Sequence, residues 1–431
     1  MSRLLYSALL YILLPLTFVK LLWRGIRQPA YLKHWAERYG YYNQRLPKPI
    51  IWLHCVSVGE TRASKPLIEA LLSKYPDHQI LLTHATPTGR EAGEQLFPNV
   101  EYPRISRCYL PYDVPGAVNR FLDHFKPALG LLMETELWFN LIAIAKTKNI
   151  PLLLVNARLS ERSARAYSKI SKLTSQGLDR LSAIAAQTEQ DASRLSKFLG
   201  SSNNISVMGN LKFDVNAPEG EAERGIYLRS LLGIARPVFL AASTRDGEEA
   251  LILEAIATNP IPNMLTVIVP RHPQRFDEVA ALLHKQNIAF CRRSEFSMGT
   301  VAGDIPNCRV ILGDSMGEMF TYYAACDVAF IGGSLLPLGG QNLIEACAMS
   351  KPVLIGPHTF NFNEATEQAI DVGAAIRVSN PLELSAQLNT LINDAELRNK
   401  MGTSALAFSK SASGATQRLM DLIEKHLPIE Y

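Results

Sequence analysis

No two cysteines stand in a C-x-x-C spacing, and the six in the chain are scattered at 55, 108, 291, 308, 326 and 347. This excludes a zinc ribbon. A chain of 431 residues also buries enough surface to hold its fold without disulfides or a structural metal. The thiols are expected to be buried, in a reducing compartment. Charged residues make up only 19%, but apolar residues reach 47%, which excludes a disordered chain; 26 glycines and 25 prolines are too few for a collagen-like one. The P-loop pattern G-x-x-x-x-G-K-[ST] is absent, as are G-x-G-x-x-G and H-E-x-x-H. No D-x-D occurs either, so the close carboxylate pair that holds a sugar diphosphate through a metal is missing. Any phosphate is left to backbone N–H groups and cations, and neither a metal nor a cofactor is expected.

The net charge of +4 is unevenly placed. Residues 1–40 carry Arg3, Lys20, Arg24, Arg27, Lys33 and Arg38 against Glu37 alone, a net of +5, so the remainder sums to −1. The basic character therefore belongs to the N-terminus and gives no ground for a nucleic-acid partner. Leu4 to Val19 holds no charged residue, and with Lys20 snorkelling the apolar run reaches Trp23, about the ~20 residues that cross a bilayer. Three readings compete: a cleaved signal peptide, a spanning helix, and a helix lying in the interface. Lys20, Trp23, Arg24 and Arg27 stand where a cleavage site would want small residues, whereas Pro15, Ser7 and Thr17 weaken a span. Either retained form predicts contact with membrane lipids, with the following domain on the cytoplasmic side.

From residue 50 onward, short branched apolar runs alternate with helical spacing. Strands are predicted at 50–55, 79–83, 128–133, 152–156, 184–186 and 205–208, with helices at 61–75, 88–96, 137–148 and 189–198. A polar linker at 215–224, including Asn216, precedes a second alternation, with strands at 238–242, 265–269, 310–312, 328–331 and 353–355. The last segment, 406–426, reads as helix with no strand after it. The pattern predicts two doubly wound α/β domains of parallel sheets with a cleft between them, and ligands at the carboxyl ends of the strands. The boundaries read as 1–28 anchor, 29–215 first domain, 216–405 second domain and 406–431 a terminal helix packing back on the first domain.

The candidate chemistry lies at strand ends. In His54-Cys55-Val56-Ser57-Val58-Gly59-Glu60-Thr61, Glu60 is either an ordinary first-turn acid or a general base. Glu134 and Glu136 follow another strand, as capping acids or as a second carboxylate for the same cleft. Arg158, Arg162 and Arg165 fall at i, i+4 and i+7, a spacing that puts three guanidiniums on one helical face, suited to solvent or to phosphates and carboxylates. Lys212, in Gly209-Asn210-Leu211-Lys212-Phe213-Asp214, stands beside the linker, where a cation can stabilise a leaving group. In the second half, Pro270 and Arg271 end a strand, and Met316, Gly317 and Glu318 open a helix. Gly332-Gly333-Ser334 with Gly339-Gly340-Gln341-Asn342-Leu343-Ile344-Glu345 surrounds a strand exit with bare N–H groups, which bind phosphate, and puts Glu345 where it can accept from ribose hydroxyls.

Together these segments identify a resemblance that covers essentially the whole chain. SVGE (57–60), METELW (133–138), NARLSERSAR (156–165), GNLKFD (209–214), PRHP (270–273), MGEM (316–319), GGS (332–334), NLIEA (342–346) and GPHTFNFNE (356–364) resemble, in order, the bacterial 3-deoxy-D-manno-octulosonic acid (Kdo) transferases that glycosylate lipid A. The resemblance implies the GT-B glycosyltransferase fold and inverting, metal-independent transfer of Kdo from CMP-Kdo to the 6′-hydroxyl of the lipid A precursor, the tetra-acyldisaccharide 4′-bisphosphate. It implies Glu60 as general base, with Glu134 and Lys212 assisting the transition state. It gives CMP contacts to Pro270, Arg271, Met316, Gly317, Glu318 and Asn342 to Glu345; the glycine loop at Gly333 and Ser334 is read as a phosphate cradle. The arginines at 158, 162 and 165 are assigned to the acidic donor or acceptor phosphates. The family pattern has histidines near 338 and 341, where this chain has Leu338 and Gln341. Two alternatives stand beside it: a GT-B enzyme using a UDP-sugar and a membrane lipid or glycan acceptor, and a membrane-anchored nucleotide-binding scaffold, against which Glu60 and Lys212 argue.

Overall fold

The computed structural model describes residues 1–47, 49–200, 204–215, 217–296 and 308–427. The chain divides into two compact units. One comprises Met1–Asp214 with Gly414–Tyr431, the other Val215–Ser413.

The first unit is built on β1 (Ile50–His54), β2 (Gln79–His84), β3 (Ile105–Tyr109), β4 (Leu129–Met133), β5 (Leu152–Ala157), β6 (Ala183–Ala186) and β7 (Ile205–Val207), parallel throughout in the order β3-β2-β1-β4-β5-β6-β7. The central strands are apolar on both faces because helices cover both, and Ile51, Leu53, Leu131 and Val155 are fully buried. Gly130 in β4 is required by a close approach: a Cβ there would lie 2.7 Å from Trp52 and 2.3 Å from Leu152. The terminal helix Ala415–Glu424 completes this unit, not the second. Its Ala415, Leu419, Met420 and Ile423 join the core formed by Leu67 and Leu71, and Lys74 pairs with Glu424 at 2.7 Å. The Asp214 carboxylate accepts from the Gly414 N–H at 2.7 Å and the Thr416 N–H at 2.6 Å, so the chain leaves and re-enters the unit at one point.

The N-terminal helix Arg3–Arg27 is long and apolar enough to cross a membrane. It is also fastened lengthwise to the first unit. Tyr6 donates to Asp113 at 2.9 Å, Ser7 to Asn140 at 2.8 Å, and the Tyr11 hydroxyl accepts from the Gly116 N–H at 3.0 Å; Thr17 meets Tyr39 at 3.1 Å, and Leu21 and Gly25 are buried. On the opposite stripe Leu5, Leu9, Ile12, Leu16, Val19, Trp23 and Ile26 are exposed at successive spacings of three and four residues.

The second unit repeats the architecture with β8 (Val238–Thr244), β9 (Leu265–Pro270), β10 (Phe290–Arg292), β11 (Val310–Leu312), β12 (Val328–Ile331), β13 (Val353–Ile355) and β14 (Ala375–Arg377), in the order β10-β11-β9-β8-β12-β13-β14, again parallel.

The structure differs from the sequence expectations at several points. The strand expected third is the fourth, because β3 and the helix Pro115–Phe125 precede it; β10 and β14 were also missed. The helix expected over 61–75 is two, Val58–Ala63 and Lys65–Lys74, parted at Ser64. The linker ends earlier, since Gly220, in the left-handed region at φ +82°, opens the helix Glu221–Leu232. Asn216 of that linker lies outside the described residues. Helix Ala395–Ala412 belongs to the second unit, so the terminal segment expected from 406 separates only at Gly414. All six cysteines are buried and free.

Candidate active site

In the first unit, three of the expected residues come together at the carboxyl end of the sheet. Ser57 follows β1 and caps the helix Val58–Ala63, accepting from the Glu60 N–H at 3.2 Å while its hydroxyl donates to Glu60 Oε1 at 2.8 Å. Glu60 Oε2 accepts from the Val56 N–H at 2.7 Å. Glu60 thus sits in the first turn as an ordinary helix-start acid would, and its bonds to the cap hydroxyl and to the Val56 N–H, one residue before the cap, fix the carboxylate in one orientation. It uses two of about four acceptor sites, so Glu60 keeps capacity for a proton. Burial raises its pKa first; the hydrogen bonds from Ser57 and Val56 oppose this, and the nearby charges of Glu134 and Lys212 act in opposite senses.

Glu134 leaves β4 in the left-handed region, φ +57°, with its N–H still donating to the Val155 carbonyl at 3.0 Å, so the ladder continues while the side chain is redirected. Its Oε1 accepts from Lys212 Nζ at 2.9 Å. Lys212 is held by the turn Leu211–Phe213, which Asn210 caps and which Asn156, also left-handed at φ +52°, fixes by accepting from the Leu211 N–H at 2.9 Å. Glu136, singled out only as a neighbour of Glu134, is the third carboxyl of the cluster. Burial, reinforced by the charges of Glu60 and Glu134, pushes its pKa up to about 7. His54 lies below, its Nδ1 at 2.9 Å from Thr83 Oγ1; burial lowers its pKa to about 4 and keeps it neutral.

The arginine trio does not share a helical face. Arg158 lies between β5 and the cap Ser160, and only Arg162 and Arg165 are on the helix Glu161–Ser168, where the cap starts the helix too late to include the first of them. All three are exposed, and among the described residues none has an ion-pair partner. The Arg158 carbonyl accepts from the Thr135 hydroxyl, which ties this segment to the loop carrying Glu134.

In the second unit, the glycine loop differs in detail from a bare phosphate cradle. The N–H groups of Gly333, Ser334 and Leu335 donate to the fully buried Glu248 carboxylate, the last two at 2.9 and 3.0 Å, and the Arg245 N–H adds a fourth bond at 2.9 Å. The Ser334 hydroxyl donates to the Ile331 carbonyl at 2.5 Å and accepts from the Gly356 N–H at 2.8 Å. Gly333 and Ser334 therefore spend these N–H groups inside the fold. Leu343 and Ile344 are fully buried and present only backbone. Pro270 is the last residue of β9, and Arg271 beyond it is exposed with an unpaired side chain among the described residues. Burial raises the Glu345 pKa, with the positive charge of Arg271 and a hydrogen bond from Asn342 opposing it. Glu318 accepts from Arg293 at 2.8 Å and from Ser315, Met316 is 69% exposed, and Gly317 stands in open space at φ +81°. Gly313-Asp314-Ser315-Met316-Gly317 has the spacing of a nucleophile elbow, but the Ser315 hydroxyl meets Glu318 and Tyr322, and no histidine is bonded to it among the described residues. No group of three or more His, Cys, Asp or Glu gathers as a metal site among the described residues.

Comparison with known proteins matches residues 33–215 to the family described as 3-Deoxy-D-manno-octulosonic-acid transferase (kdotransferase), and residues 302–407 to Glycosyl transferases group 1. A 3-deoxy-D-manno-octulosonic acid transferase of Bordetella pertussis is 41% identical, covering 99% of this chain and 100% of the relative; that of Haemophilus influenzae is 38% identical, covering 99% of each. Among solved structures, Anabaena HepE in complex with UDP has a TM-score of 0.52 at 17% identity, covering 88% of this chain and 100% of that one, which supports the shared fold alone.

Proposed function

Since the chain belongs to the Kdo transferase family of glycosyltransferases, whose members transfer Kdo in lipopolysaccharide synthesis, we propose that it moves Kdo from CMP-Kdo to the 6′-hydroxyl of the lipid A precursor, with inversion and without a metal. The observation that carries this reading is the Glu60 carboxylate, buried, fixed by the Ser57 hydroxyl and the Val56 N–H and near the Glu134–Lys212 ion pair. As general base, Glu60 takes the acceptor hydroxyl proton while the hydroxyl oxygen bonds the anomeric carbon. The bond from that carbon to the CMP phosphate breaks on the opposite face, and CMP leaves with the electron pair. Glu134 orients Lys212, and the ammonium offsets negative charge as it develops. The second unit binds the donor, with Arg271 toward the phosphate and Glu345 toward the ribose; Met316, Gly317, Glu318 and the backbone of Asn342 to Ile344 line the nucleotide.

The membrane reading we favour is a helix lying in the interface plane. A helix hydrogen-bonded from Tyr6 to Thr17 along a polar domain cannot cross the bilayer without drawing Asp113, Asn140 and Gly116 into hydrocarbon, which is costly. Its exposed apolar stripe faces the acyl region, and Lys20, Arg24 and Arg27 meet anionic headgroups.

The test is incubation of detergent-solubilised protein with freshly generated CMP-Kdo and the tetra-acylated precursor, read by mass spectrometry. A gain of one or more Kdo units with CMP release supports donor and acceptor together. No gain, with a known family enzyme active alongside, overturns the assignment and turns the search to UDP-sugars.

A further inference from the structure

Resting on the donor reading above, we propose that Arg245, which no sequence motif singled out, is a donor-binding residue whose guanidinium takes an anionic oxygen of the sugar nucleotide.

Glu248 already fills the loop that would otherwise cradle an anion. Its carboxylate is 0% exposed and accepts from the N–H groups of Arg245, Gly333, Ser334 and Leu335. An incoming anion meets a site whose nearest backbone donors are engaged, so the charge must come from side chains. Six arginines stand at or just beyond the carboxyl ends of this sheet's strands, and four are neutralised. Arg275 grips Glu249 with two bonds, at 2.7 and 3.0 Å, and Arg292 pairs with Asp277 and Asp314. Arg293 pairs with Glu318 and Arg377 with Glu367. Arg245 and Arg271 remain, with no carboxylate in salt-bridge reach among the described residues.

Arg245 is also aimed. Ser243, at φ +56°, shifts the register at the end of β8, so that Thr244 pairs with Pro270 and Arg245 leaves the sheet between β9 and β12. Its stem lies over Gly333: a Cβ built on that glycine would be 3.4 Å from Arg245 Cγ and 3.2 Å from Gln341 Nε2. With no side chain at Gly333, the Arg245 stem lies against the loop, and the Gln341 amide approaches the same glycine. Arg245 is a half-buried residue whose charge no carboxylate balances among the described residues, and a ligand anion would supply that partner. The donor offers two anionic groups, its phosphodiester and its sugar carboxylate.

The experiment uses the full chain with Arg245→Gln and Arg245→Lys, measuring steady-state kinetics and the affinities of cytidine, CMP and CMP-Kdo. The expected result for R245Q is a KM for CMP-Kdo raised about tenfold or more, an unchanged acceptor KM and unchanged cytidine affinity, with partial rescue in R245K. A matching fall in CMP affinity assigns the contact to the phosphate; CMP affinity preserved while CMP-Kdo weakens assigns it to the carboxylate. Kinetics of R245Q within twofold of wild type, or cytidine weakened as much as CMP, overturns the proposal. A wild-type protein that binds neither CMP nor CMP-Kdo overturns the donor reading itself, a separate outcome visible before any variant is made.

Discussion

Replacing Glu60 by glutamine keeps its size and removes its ability to take a proton. We expect kcat to fall by about 10²- to 10⁴-fold, the usual yield of a positioned base, with donor affinity retained, since Glu60 belongs to the first unit. Wild-type activity should fall as the pH drops through the raised Glu60 pKa, because only the carboxylate accepts the proton. Glu136 adds a stability signature. With a folded pKa of about 7, above the ordinary 4.5, the folded protein holds a proton that the unfolded chain has lost, so this stability is present below about 4.5 and disappears as the pH rises through about 7. Glu136→Gln mimics the protonated form. At pH 8 it should melt above wild type by a few degrees, corresponding to about 1–2 kcal/mol at ~2–4 °C per kcal/mol, and the gap should close at pH 4. A constant gap across this range would show that Glu136 is not the titrating group. That Glu60, Glu134 and Lys212 lie in the segments following β1, β4 and β7 was legible in the sequence, because those strands are apolar runs that end in polar loops. The Glu136 shift was not, since it depends on charges that meet only in the tertiary structure. Glu248 was hidden for the same reason: its partners at Gly333 to Leu335 are more than eighty residues away.

Apart from the edge strand β7, the strands read correctly are those in the middle of each sheet. Strands covered on both faces become unbroken apolar runs, as in Ile50–His54 and Val328–Ile331. The missed strands β3, β10 and β14 are all edges. An edge has one neighbour and tolerates Arg107, Arg292 or Arg377 in its short sequence, so its pattern fades into loop. The linker was over-read because the first turn after Gly220 carries Glu221 and Glu223, acids that favour a helix start while looking like solvated loop. For the N-terminal helix, composition left spanning and in-plane readings open; the polar contacts along one stripe favour the second. Ile12→Asp with Leu16→Asp, both on the exposed stripe, should weaken binding to anionic vesicles at least tenfold while leaving the melting temperature of the detergent-solubilised protein unchanged. Unchanged vesicle binding would remove the in-plane assignment.

Across the whole molecule, two similar sheets divide the labour proposed here: proton transfer on the first, nucleotide recognition on the second. On the donor side Glu318 is paired with Arg293, and Glu345 lies within the field of Arg271, an arrangement that offers cations rather than a carboxylate pair. Excess EDTA should therefore leave the rate of Kdo transfer within twofold; a collapse restored by magnesium would refute metal-free transfer. The two α/β domains were legible from the alternation of strands and helices, whereas the late return of the chain to the first unit had only the strandless final segment to announce it. That return has a consequence for synthesis. The first unit cannot close its core until Leu419, Met420 and Ile423 have left the ribosome, some two hundred residues after Asp214. At about 5–20 residues per second this is a wait of roughly 10–40 s, during which the second unit is translated in full and free to fold. The nascent first unit meanwhile displays Leu67 and Leu71 uncovered, and that interval is when a chaperone would be most useful to it.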